Sequence, residues 1–531
     1  MKKITYILVC AAAAVAAASC SKTEQNVSNS DRVDATINAT IPSTKVTIDG
    51  ITTSWTTGDK MTVFDLNGTS EGEFTATNSG TTAAFSGTKA TEDDILMFAI
   101  YPANSAATCQ SEQNKVYTSI PTVQDGSISN ALIAGVSDGD DNFTFANVCS
   151  VLKLTITDTD ITTITFVSTS TLVPETEATY EANPIAGDVA VNCADPENIA
   201  LEWSDLDGAK QYSSIMIKNA DGSALTPGDK YIALYPGTYE GTLVFGKKDG
   251  SVRYAAGINF NSREFAQNKI RNFGTANFTW VPNAIAGVFS LGNDTRVLFA
   301  QGNIMYQTTT ATWKINDTYE SLYQYNTEAT GYWIEHFNWN NANTPDDVVT
   351  DYAKVAGERG YWDEEGDWSK KVGDGKWEIF DINQISYLFD FGKDLTRSAK
   401  AKVGQAVGIV KLDGRFYTVV YPDGWTGEYF SKTAYPTSDN VTAEELEALQ
   451  DLGCMVLSCG GHRARSTAAL QDLGKVGQYW TCTWKSGSNE TRGVASAARF
   501  IYTGATPSMK EGGLESDRGF LVRPYYPLET K

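Results

Sequence analysis

The chain has 531 residues, a net charge of −22, 41% apolar and 11% aromatic content, and eight cysteines. That is enough for three or four domains with real cores, while the acidity excludes electrostatic binding to nucleic acid or anionic lipid headgroups, and the thin spread of cysteines excludes a disulfide-built scaffold. Frequent Gly, Thr, Ser, Asn and Asp favour strands and turns over helices, and the acidity names no partner, because it also serves solubility.

Residues 1–19 combine Lys2 and Lys3, an apolar run Ile4 to Ala18, and small residues before Cys20. These are the parts of a secretory signal peptide, and the run is too short for a stable membrane span. Small residues directly before a cysteine resemble a bacterial lipoprotein signal. The resemblance implies cleavage before Cys20, acylation of that residue and an anchor in the outer-membrane lipid. The alternative is ordinary secretion after an A-x-A site with Cys20 left free. Without Lys2 and Lys3 the chain carries 40 basic against 64 acidic side chains, near −24. Residues 20–32 are polar and aperiodic and read as a flexible tether.

Residues 33–158 show short alternating runs parted by turns. Asp34 to Ile41 alternates, Lys45 to Ile48 ends in Asp49-Gly50, and Trp55 to Asp65 turns at Gly58-Asp59. Leu96 to Tyr101 is continuously apolar before Pro102, and Phe145 to Ile156 is the last strong strand. The ordered set T-K-V-T-I-D-G, W-x-x-G-D-K-M-x-V-F, apolar-Tyr101-Pro102 and F-A-N-V-C-S-V-L-K-L resembles the N-terminal domain of the fimbrillin (Mfa-like) family of Bacteroides-type bacteria. The resemblance implies a β-sandwich in a surface or fimbrial lipoprotein. Residues 159–283 read as a second all-β unit, with Ile161 to Val167 β-branched and a turn at Lys248-Asp249-Gly250. There Tyr231 to Tyr239 echoes the apolar-Tyr-Pro run, and the same family carries such a pair. Two tandem β-sandwiches are expected. In fimbrial members of the family one subunit's segment completes another's sheet; that segment is not identifiable here.

From 288 to 528 the composition changes, with nine of twelve tryptophans and both histidines. The spacing of Ile382, Ile385 and Phe389 behind Asp381 predicts one helix. Thr442 and Glu445 form a capping box for a second, stopped at Gly453. Strands pair around Asp413-Gly414. The order F-x-Q-G-N, P-D-G-W, G-G-H-R, G-x-Y-W-T-x-T-W and R-G-F-x-V-R-P resembles the major paralogous domain of Fibrobacter-type bacteria. The resemblance implies a fold similar to C-type-lectin-like and sulfatase-modifying (formylglycine-generating) domains, that is, an α+β C-terminal domain. The whole chain is expected to be mostly β.

Three clusters could carry chemistry. Cys454 and Cys459 flank a strand; five apart, they point to opposite faces roughly 16 Å apart, which disfavours a bridge. The sulfatase-modifying enzymes have their cysteines after the corresponding tryptophan, so that role does not transfer, and structural thiols are expected. Asp346, Asp347 and Asp363 to Asp367 could hold calcium but match no closed ligand loop, and a solvated acidic loop is the simpler reading. Trp333, Trp339, Trp362, Trp368 and Trp377 sit among Asn and Asp in a loop-rich region. Aromatic faces over sugar C–H groups would make a carbohydrate site, while packing accounts for most of them, with one or two exposed. His462 and Arg463 read as core support. No nucleophile triad, phosphate loop or zinc spacing is found, so no enzyme, metal or cofactor is expected.

The reading is a surface-exposed, lipid-anchored outer-membrane protein in adhesion or in binding of a glycan or surface protein, as a fimbrial tip or accessory component. The alternatives are a fimbrial subunit assembled by strand donation and an envelope-internal binding protein.

Overall fold

The computed structural model describes residues 32–41, 47–48, 51–52, 54–169, 183–203, 206–292, 295–321, 333–337, 367–390, 405–463, 469–485, 494–502, 508–515 and 519–528. The signal peptide, Cys20, the Asp49-Gly50 turn, Trp339, Trp362 and the acids 346, 347 and 363–365 lie outside them. The fold is mostly β, with two α-helices among the described residues, both in the C-terminal part.

The alternation of Asp34 to Ile41 becomes a strand, Val33–Thr40, with Ala35, Ile37 and Ala39 buried. It pairs residue for residue with Thr82–Lys89 and, in parallel, with Asn142–Asn147. Ile133–Ser137, Leu96–Tyr101, Lys60–Asp65 and Ser70–Ala76 close the barrel. Trp55 fills it: its indole donates to Ala39 O at 2.9 Å and meets Phe85, Tyr101 and Phe145 edge-on at 4.9, 5.3 and 5.1 Å. Arg32 fixes the start of the barrel, donating to Thr88 Oγ1 and to the carboxylate of buried Glu71.

The expected boundary at 158 does not separate two sandwiches. Strand Lys115–Ile120, from inside the first expected unit, pairs with Ala186–Asn192 in the second. Ser150–Ile156 is the centre of a sheet between Gly228–Leu234 and Ile270–Thr275. Alternation reports which face of a strand is buried but not which strand lies beside it. The two apolar-Tyr-Pro runs accordingly end in different sheets, one in the barrel and one beside 150–156.

A six-stranded sheet of Val123–Gln124, Ser214–Ile217, Thr163–Thr169, Gly237–Asp249, Val252–Phe265 and Val281–Pro282 follows. Gly250, with φ of +58°, turns the long hairpin. One face of the sheet buries Ile164, Phe166, Leu243 and Phe245 in a core shared with strand 150–156. The other buries Val167, Val244, Ala255 and Val281 in a core shared with Val288, Leu298 and Trp480 of the C-terminal part. The residues after Pro282 are not an open linker: Ala284, Ile285 and Val288 are buried, and Ile285 N–H donates to Phe299 O at 2.9 Å.

In the C-terminal part Tyr525–Pro527 returns to pair with Arg296–Phe299. The first helix, α1 (Ile382–Leu388), carries a capping box of Asp381 and Gln384. The second, α2 (Ala443–Asp451), carries the expected Thr442–Glu445 box, and Gly453 follows it at φ +91°. A Cβ on Gly287 would lie 2.0 Å from Gly453 O, so the chain crosses α2's end only because that position is bare.

The last turn of α2 is also an electrostatic seam. Arg253 Nε donates to Asp451 Oδ1 at 2.7 Å and Lys248 Nζ lies 2.8 Å from Glu447 Oε2. Cations at the negative end of a helix dipole are favourable. Gln301 joins the same seam, accepting from Arg253 N–H at 2.7 Å and donating to Ser251 O at 3.2 Å.

Candidate functional site: the outer face of a small C-terminal sheet

Ile304–Gln307, Thr312–Ile315 and Trp333–Ile334 form a three-stranded sheet. Its registers, Ile304 to Ile315 and Tyr306 to Trp313 and Ile334, place these residues on one face. Ile304, Ile315 and Ile334 bury that face against the core, and half-buried Trp313 lies 4.8 Å from Tyr306 and 5.4 Å from Phe337. The opposite face carries Met305, which is buried, and Gln307, Thr312, Lys314 and Trp333. Trp333 is half-buried, with the Lys314 ammonium 4.9 Å from its ring centre. Lys314 also lies 3.3 Å from Asp317. An aromatic ring, an amide, a hydroxyl and a cation therefore share one outward surface.

The other described tryptophans of the expected site are not with it. Trp368 is 0% and Trp377 1% exposed. Trp368 stacks on Phe337 at 5.7 Å and Trp377 meets Tyr526 edge-on at 5.5 Å. Neither offers a face to a ligand, so the binding reading is withdrawn for both: a region with few aliphatic side chains uses its indoles as core. Gln307 and Lys314 were not among the sequence candidates. Strand alternation on either side of the turn at 308–311 is the signal that groups them with Trp333.

The motifs with the most specific spacing converge elsewhere, on a buried polar centre. Arg523, fully buried, donates from Nε to Asn303 Oδ1 at 3.0 Å and from Nη1 to Ala300 O and Gln301 O at 3.0 and 2.9 Å. Asn303 Nδ2 donates to Glu335 Oε1 at 2.7 Å. Tyr479 OH donates to Ser458 O at 2.8 Å. His336 Nε2 lies 2.9 Å from Gly460 O, and burial lowers its pKa to about 3, so the ring is neutral and donates. Apart from Arg523 Nη2, which has no hydrogen-bond partner among the described residues, these groups are answered inside the fold, mostly by backbone carbonyls, which is scaffold work.

The remaining chemistry is similarly enclosed. Cys454 packs into one core and Cys459 into another, on opposite sides of their strand. Burial pushes the thiols of Cys149, Cys193 and Cys482 up to about 12 and that of Cys109 to about 11, which keeps them protonated. Asp367 Oδ1 accepts from Ser369 N–H at 2.9 Å and caps a short turn. Among the described residues no group of three or more His, Cys, Asp or Glu could hold a metal ion. His462 is buried, its Nδ1 3.8 Å from Asp472.

No family model and no curated protein matches the chain. Among solved structures it is similar to a Bacteroides ovatus protein described provisionally as a cell adhesion protein, at 11% identity and a TM-score of 0.29, covering 46% of this chain and 94% of that one. A likeness at that level carries no argument for fold or function.

Proposed function

We propose that the protein is a lipoprotein anchored through Cys20 to the outer membrane and exposed at the cell surface, where its C-terminal part binds a glycan or a surface protein in adhesion, without catalysis. Membership of the fimbrillin family, the lectin-like nature of residues 288–528 and a place at a fimbrial tip belong to the same reading. The observation that carries it is the outward grouping of Trp333, Gln307, Thr312 and Lys314, the one part of the expected aromatic site that keeps a ring at the surface among the described residues. The clamp of Arg32 on Glu71 supports it, because it fixes where a tether from Cys20 would leave the barrel.

Two measurements test it. Protease shaving of intact cells should release peptides from beyond residue 290; protection until the outer membrane is broken would move the protein inside the envelope. Trp333→Ala should lower array binding of glycans or surface proteins by about tenfold, the loss of one contact worth about 1.4 kcal/mol, while leaving the thermal midpoint unchanged. Equal binding would remove Trp333 as a contact. If lipid-free protein formed polymers with an added donor-strand peptide, the structural-subunit reading would take its place.

A further inference from the structure

Residues 421–442, between the strand Arg415–Val420 and helix α2, form a 22-residue loop with no helix or strand of its own. Loops this long inside a compact fold are uncommon, and the ordered ones commonly serve a function. This loop is tied along its course. Ser431 O accepts from Ile409 N–H at 2.9 Å, Asn440 Oδ1 accepts from Lys411 N–H at 2.8 Å, and Asp439 Oδ1 accepts from Gly414 N–H at 3.0 Å. At its root, Gly424 O accepts from Ser214 Oγ of the six-stranded sheet.

The tip, 425–430, is ordered by its own groups. Trp425 Nε1 donates to Glu428 O at 3.1 Å, Tyr429 OH donates to Trp425 O at 3.3 Å, and Phe430 N–H donates to Tyr421 OH at 2.8 Å. Gly427 lies flat on the indole; a Cβ there would fall 2.5 Å from a ring carbon. Trp425 and Phe430 turn their inner edges to the core. Tyr429, held edge-on to Tyr421 at 4.8 Å, stays 37% exposed, beside exposed Glu428 and Ser431 and half-buried Thr426. A ring fixed this way has already lost the freedom that binding would otherwise remove.

We propose that this tip is a saccharide platform. The Tyr429 ring and the outer edge of Trp425 would lie against the C–H face of a sugar, with Glu428 accepting from its hydroxyls. The surroundings suit that ligand: short hydroxyl side chains and a carboxylate flank the ring and match the donors and acceptors of a sugar's hydroxyls. The charge of −22 and the carboxylate at the tip select neutral over sialylated or sulfated glycans. The inference rests on the binding reading above for taking the C-terminal part as a binder, and it assigns a surface separate from the Trp333 face.

The test is a printed array of neutral oligosaccharides, with calorimetric titration of the best-bound one, on the full chain and four variants. Tyr429→Ala is expected to lose about tenfold in affinity and Tyr429→Phe to keep most of it, because the ring face carries the contact. Glu428→Gln, at an exposed position, should weaken binding with folding untouched, and for a ligand seated at the tip Trp333→Ala should change affinity less than Tyr429→Ala does. Binding that survives Tyr429→Ala and Glu428→Gln but falls with Trp333→Ala overturns the platform and supports the other face. Failure of every neutral oligosaccharide to bind the unaltered chain also overturns it, as does a Tyr429-dependent protein partner in place of a glycan; each leaves the Trp333 measurement standing.

Discussion

At the scale of the residue, burial decides which of several similar side chains can face a ligand. Trp368 and Trp333 are 35 positions apart in one aromatic-rich region and differ in surroundings, not chemistry. Trp368→Ala should cost about 3–5 kcal/mol, the range for emptying a large aromatic from a core, read as a fall in the denaturant midpoint; a change under 1 kcal/mol would show that the site collapses around the cavity. His336 gives a pH-dependent counterpart. Burial holds it neutral, with a pKa of about 3 against an ordinary 6.5. Between those values the unfolded chain binds the extra proton, so stability is full above about pH 6.5 and declines as the pH falls. Between pH 7.5 and 5.5 the protein should lose about 1 kcal/mol more than the His336→Gln variant does. Parallel losses in the two proteins would mean that this histidine is not the group titrating.

Helices and hairpins are the elements most legible from sequence, because their signals are local. The Thr442–Glu445 box forms with both hydrogen bonds, Thr442 Oγ1 accepting from Glu445 N–H at 3.2 Å and Glu445 Oε2 from Thr442 N–H at 2.8 Å. Thr442→Ala should therefore cost about 1 kcal/mol in global stability. Because α2 holds Arg253 and Lys248 at its other end, the same substitution should also speed hydrogen exchange in the 249–253 turn; exchange faster only within α2 would mean that helix and turn are uncoupled. The Asp413-Gly414 hairpin was equally readable, with Leu412 facing Arg415 and both turn residues at positive φ. What was not readable was partnership. Strand 115–120 alternates like its neighbours in the barrel yet pairs with 186–192. Nor could spacing tell the roles of Asn303 and Arg523 from those of ligand residues, because a motif records which side chains matter and not whether they meet each other or something outside. The Trp425–Phe430 tip went unread for a related reason: a turn signal at Pro422-Asp423-Gly424 predicts a reversal and says nothing of the long loop beyond it.

On the scale of the whole molecule, the second β-region and the C-terminal part share a hydrophobic core. The sheet built on 237–265 is buried on both faces, so removing either neighbour would expose a row of apolar side chains to water. The connecting residues are themselves core, and the seam adds Arg253 to Asp451, Lys248 to Glu447 and Asn259 Nδ2 to Leu528 O at 3.2 Å. Nothing among these described contacts resembles the exposed, polar connection across which domains swing. Native-state hydrogen exchange should then give strand 163–169 and strand 296–299 the same opening free energy, with calorimetry showing a single transition for both regions. Val244→Asp, which puts a carboxylate into the shared core, should lower protection in both strands together. Loss confined to 163–169, with 296–299 still protected, would show two independently stable domains. If the coupling holds, a ligand seated on the Trp333 face or at the Tyr429 tip is held at a fixed angle to the six-stranded sheet. Force on that ligand would then pass through the long hairpin, with no pivot at residues 281–288.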